Sequence, residues 1–113
     1  MNSEDFVRAI ERHVKDAAIG DTLASLKAPA GRRIPPDVRA RSDWYNGLSE
    51  IESTHVEGVV KAAVHAAVFG LLAVLDGART IDDGSGQFEL VYVAGQRILL
   101  NPQSVDLHDM LSA

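Results

Sequence analysis

The chain has 113 residues, 46% hydrophobic and 24% charged, a size and composition at which one domain buries a core without staples and a disordered chain is excluded. It contains no cysteine, which excludes a disulfide framework, a thiolate zinc site and a cysteine nucleophile. The net charge of −5 is uneven: Met1 to Leu26 carries three basic and five acidic residues, Lys27 to Asp43 five and two, and the remainder three and nine, an acidic body with one basic segment.

The opening residues Met1 to Asp5 are polar and acidic, unlike a signal peptide, so a cytoplasmic location is expected. Ser3 as N-cap, Glu4 and Asp5 in the first turn, and Phe6, Ile10, Val14 and Ala17 at helical spacing predict a helix from about Ser3 to Ile19. Gly20 is a stop signal, and Asp21 can cap a short continuation through Leu23 and Leu26.

Pro29, Gly31, Pro35 and Pro36 surround Arg32 and Arg33 and predict an exposed loop from Ala28 to Val38. A second helix starts at Asp37 or Ser42 and reaches about Glu52 through Tyr45, Leu48 and Ile51, with Gly47 weakening it. The strongest element runs from about Thr54 to Leu75, where Val, Ala, Leu and Phe occupy almost every face, so burial nearly all round is expected. Glu57, Lys61 and His65 form its polar stripe, with Glu57 and Lys61 placed to pair. The uncharged stretch from Ala62 to Leu75 is 14 residues, shorter than a bilayer span, so no membrane is expected.

Asp76 and Gly77 end that helix, and Asp82 to Gly86 form a turn. Phe88 to Ala94 alternates, Arg97 to Leu100 gives a second strand, and Ala94 to Gln96 connects them as a hairpin. Leu107, Met110 and Leu111 have the spacing of a short helix. The expected fold is α+β, a single domain over 1–113: mainly helical, with a long apolar central helix, a C-terminal two-stranded antiparallel hairpin and a short terminal helix.

Candidate sites follow from residue chemistry. Arg32, Arg33, Arg39 and Arg41 beside Trp44 and Tyr45 are the most partner-like group, because arginine and aromatic residues concentrate at binding hot spots; the alternative is a solvated loop with its aromatics in the core. Glu52 and His55 have Glu-x-x-His spacing, and with His65 they are the metal candidates, against solvated helix ends and a hydrogen-bonded histidine. His108 and Asp109 are adjacent and point apart on a helix, which favours capping or solvent contact. Ala62, Ala66 and Gly70 repeat at small-x-x-x-small spacing and let another backbone approach, either within the fold or in a homodimer. The hairpin edge offers a second route to a homodimer. No phosphate loop, Gly-x-Ser-x-Gly elbow or His-Glu-x-x-His element is present, so no catalytic residue and no cofactor are assigned and the weight lies against an enzyme. The 5% aromatic content leaves little stacking surface, and nucleic acid is not expected.

The run AAVFGLLAVLDG at Ala66 to Gly77, FELVYV at Phe88 to Val93, LLN at Leu99 to Asn101 and LHD at Leu107 to Asp109 resembles small uncharacterised bacterial proteins, some of which resemble immunity partners of toxin and immunity systems. The resemblance implies a non-enzymatic protein that binds and blocks a toxin, for which an acidic body facing a basic partner is suitable. The alternative expectation is a small ligand- or metal-binding protein, with or without catalysis, centred on Glu52, His55, Glu57 and His65.

Overall fold

In the computed structural model, which describes residues 1–113, the extended Asn2 caps the first helix by accepting the Asp5 backbone N–H at 2.8 Å. Asn2 takes the place expected of Ser3, whose hydroxyl instead donates to the Leu100 carbonyl at 2.6 Å. Helix α1 (Ser3–Ile10) passes into a π-helical stretch (Glu11–Asp16) and then α2 (Ala17–Lys27). The helix therefore runs through Gly20, where a side chain would meet only open space. An i→i+5 turn holds more residues than an α-turn, so the inward face rotates: Val7 is buried and Val14, expected in line with Phe6 and Ile10, is exposed.

Pro36 opens α3 (Pro36–Asn46), where a missing N–H costs nothing. Gly47 closes it by donating to the Asp43 and Trp44 carbonyls. Helix α4 (Glu50–Leu75) thus begins four residues before the expected start, and the cause is local. The Ser49 hydroxyl accepts the Glu52 backbone N–H at 3.2 Å while the Glu52 carboxylate accepts the Ser49 N–H at 3.0 Å, a reciprocal capping box. The Ser49 N–H also holds the Glu52 carboxyl below its ordinary pKa.

Strands β1 (Val91–Ala94) and β2 (Gln96–Leu99) pair antiparallel with Val91 opposite Leu99 and Ala94 opposite Gln96. Gly95 turns the chain at φ +75°, a conformation that strains residues with a Cβ. Phe88 to Leu90, expected as strand, is held by Asn101 instead. Its amide donates to the Leu75 and Phe88 carbonyls at 2.8 and 2.9 Å, and its oxygen accepts the Leu90 N–H at 2.7 Å. Helix α5 (Leu107–Met110) follows. The architecture is the expected α+β arrangement: mainly helical, a long central helix, a C-terminal hairpin and a short terminal helix.

The chain divides into two compact units, Met1–Lys15 with His65–Ala113, and Asp16–Val64. The first has a core of Val7, Leu72, Leu107 and Leu111, with Phe69, Leu75 and Leu90 packed against it. Its chain ends are tied by polar contacts: Arg8 donates to Glu11, to Ser112 and to the Met110 carbonyl, and the Lys15 ammonium donates to the Ser112 carbonyl. In the second unit α2 and α3 pack together, burying Leu26, Ser42 and Tyr45. The Asn46 amide donates to the Lys27 carbonyl at 3.0 Å.

The expectation that the central helix is buried nearly all round is corrected. Only Gly70, Leu72 and Ala73 of α4 are buried, while Ile51, Val59 and Leu71 are exposed. A helix of 26 residues is about 39 Å long at 1.5 Å per residue, and the core that Val7, Leu107 and Leu111 build on it reaches only Leu72 and its neighbours Val68, Phe69 and Leu75. At 26 residues it is also long and apolar enough to cross a bilayer by length and composition, with 17% of its most apolar 18-residue window buried. The uncharged stretch from Ala62 to Leu75 ends at Lys61, and the helix continues beyond that single charge. The expected Glu57–Lys61 pair does not form; Glu57 accepts from Tyr45 and faces Lys27. Arg79 lies over Gly70, where a Cβ would collide with its guanidinium, so the small-residue spacing is used within the chain at that position.

Burial works to raise the Glu11 carboxyl pKa, but the Ser112 backbone N–H and the Arg8 guanidinium outweigh it and the net shift is downward. A depressed native pKa contributes stability that is present above the unfolded value, about 4.3 for Glu, and is lost as pH falls through the lower native value. Urea unfolding between pH 7 and pH 3 is expected to show this loss in the parent and a shallower one in Glu11→Gln. Parallel profiles would contradict the assignment.

Candidate functional site

In the second unit α2, α3 and α4 frame an open groove of about 500 Å³. Its walls are apolar because Leu26, Val38, Val56 and Val60 turn inward from three helices, and Trp44 and Arg41 stand on its border. Trp44 is 56% exposed, an unusual state for the largest apolar side chain unless something else covers it. Arg41 is exposed and faces Asp37 at 4.0 Å, one turn back on α3, a solvated pair of small energetic weight.

Successive helical residues point apart by about 100°, so Tyr45 takes the other direction. It is buried, and its hydroxyl donates to Glu57 at 3.0 Å. Loss of water around the phenol raises its pKa, and the Glu57 carboxylate raises it further. Arg32 and Arg33 lie in the loop before α3 and Arg39 lies on α3, all exposed and outside the groove lining. Of the six arginine and aromatic candidates, the structure brings Arg41 and Trp44 together at a concave surface. It gives Tyr45 a packing role and leaves the other three in solvent.

The metal candidates do not converge. Glu52 belongs to the second unit and His65 to the first, and Glu52 is engaged in the capping box. His55 is exposed on the same helix. His65 stacks on Phe69 with centroids 6.0 Å apart, and its Nδ1 is buried without a partner.

A different cluster forms in the first unit, where α4 ends. Asp76 Oδ2 accepts the His108 backbone N–H at 2.9 Å and lies 2.7 Å from His108 Nδ1. His108 Nε2 faces Asp109 Oδ1 at 3.4 Å, and the ring edge meets Phe69 at 5.3 Å. The Asp76 hydrogen bond raises the His108 pKa, burial opposes it, and the charges of Asp109, Asp76 and Asp106 add to the rise. Asp76 and His108 are 32 residues apart, and the sequence gives no signal that pairs them. Asp76 reads there as a helix stop and His108 as a neighbour of Asp109.

The groove offers an apolar hole whose lining also carries Asp21, Arg41 and the Trp44 indole, which suits a protruding side chain. Thr22 and Ser25 bring hydroxyls to the lining, and no histidine or cysteine stands there. Comparison with family models, with curated proteins and with solved structures finds no match for this chain.

Proposed function

We propose that the chain is a non-enzymatic, cytoplasmic protein-binding domain of the kind that seats on a partner and blocks it, as an immunity-type inhibitor does a toxin. The observation that carries this reading is Trp44, 56% exposed at the edge of an apolar-walled groove. An exposed indole beside an arginine at a concavity is the composition of an interface hot spot. The segment from Lys27 to Asp43, which leads into the groove, carries five basic and two acidic residues. Arg41 and Asp21 both line the groove, so the part of the partner entering it is an apolar side chain. The acidic remainder of the chain matches a basic surface elsewhere on the same partner.

Trp44 is the only tryptophan, so its fluorescence reports groove occupancy. Emission of the parent is expected to move to shorter wavelength on addition of the purified partner. Trp44→Ala is expected to weaken binding about 30-fold or more by calorimetry, equivalent to about 2 kcal/mol. A stoichiometric complex with unshifted emission and undiminished affinity in Trp44→Ala would overturn the groove as the binding surface.

A further inference from the structure

The Asp76 side chain is fully buried, and while its Oδ2 is taken up by His108, its Oδ1 has no hydrogen-bond partner. A buried carboxylate oxygen without a partner is costly, and a cation beside it offsets that cost. The neighbours supply the remaining ligands of a cation. Asp106 stands at the N-cap position of α5, yet its side chain makes no capping bond. Potential ligand atoms of Asp76, Asp106 and His108 lie within 4.8 Å of one another.

We infer that Asp76, Asp106 and His108 form a binding site for a divalent transition ion that accepts mixed oxygen and nitrogen ligands, such as zinc. The cation occupies the space between the two carboxylates and His108 Nδ1. The Nδ1 proton is displaced, and the imidazole keeps its other proton on Nε2, which already faces Asp109 Oδ1 at 3.4 Å. Asp109 is thereby near enough to become the carboxylate to which a ligating histidine commonly donates its far N–H. Asp76 Oδ2 keeps the backbone N–H of His108, so the site need not be dismantled to be filled. Zinc bonds of about 2.0 to 2.2 Å require His108 Nδ1 to give up its 2.7 Å contact with Asp76 Oδ2 and Asp106 to close, which its exposed side chain has the freedom to do. One imidazole and two carboxylates leave a fourth position for water or a partner's side chain. The site lies in the first unit and does not depend on the groove.

The test is calorimetric titration of zinc into protein stripped with a chelator, together with nitrogen NMR of the histidine rings. One zinc per chain is expected, with the His108 ring changing from a protonated to a metal-bound Nδ1. Asp106→Asn, at an exposed position with no hydrogen bond to lose, is expected to fold normally and weaken zinc by about 10-fold or more, and His55→Ala to leave it unchanged; second-shell losses alone reach about 10- to 100-fold. Zinc affinity undiminished in Asp106→Asn, no binding at micromolar zinc, or perturbation of His13 or His55 in place of His108 would each overturn the assignment.

Discussion

Leu72→Ala is expected to lower the free energy of unfolding by about 2–5 kcal/mol. Leu72 is 2% exposed and packs with Val7, Leu107 and Leu111, so one side chain on α4 meets residues from both ends of the chain. Truncation removes the transfer free energy of the side chain and leaves a cavity that helices fixed on several sides cannot collapse into. Against a total of about 5–15 kcal/mol for a domain, this is a large share. Leu71, the next residue, is 62% exposed, and Leu71→Ala is expected to change stability by only about 0.5 kcal/mol or less. Urea unfolding of the pair separates a packed position from an open one. Equal losses would contradict the description of α4 as buried on one face only.

Asn101→Ala is expected to cost about 2–3 kcal/mol, because three backbone groups lose their partner at once and unsatisfied groups cost about 1–3 kcal/mol when buried. The Asn101 side chain holds the carbonyl of Leu75 at the end of α4 and both the carbonyl of Phe88 and the N–H of Leu90 before β1. It acts as the strand partner that this segment lacks. A two-stranded hairpin is marginal alone, so loosening its attachment is expected to raise exchange of the Leu90 amide and of the β1–β2 amides together. Asn101→Asp keeps the acceptor for Leu90 but sets a negative charge against two carbonyl oxygens, and is expected to be no better than alanine. Unchanged amide protection in both variants would show that the hairpin is held elsewhere.

Elements whose signal lies within a few residues were legible in the sequence. The apolar run of α4, the alternation leading into β1, the glycine turn at Gly95 and the spacing of Leu107 and Met110 each specify local structure. What depended on distant partners was not. The apolar content of α4 predicted burial, but burial requires covering elements, and Val59 and Leu71 have none within the chain. The π-helical stretch shifted the inward face of the first helix, so Val14 turned outward. Ser49 and Glu52 form a capping box whose pattern stood in the sequence, yet Glu52 read there as a ligand beside His55.

The candidate surfaces followed the same rule. Arg41 and Trp44 were among the residues named from composition, but three apolar walls drawn from three helices were needed to make them a groove. Tyr45 resembled Trp44 as a residue type and differed only in direction around α3. Asp76 and His108 meet because the core of Leu72 and Leu107 brings α5 to the end of α4.

The claim that this chain binds a partner protein through the Trp44 groove is tested most directly by native capture from the source cell, comparing the parent with Trp44→Ala and Arg41→Glu. The parent is expected to retain one protein in stoichiometric amount, with cross-links joining it to α3, and both variants to lose it while keeping the parent's unfolding midpoint. A partner retained equally by all three, or cross-linked only to residues outside the second unit, would contradict it.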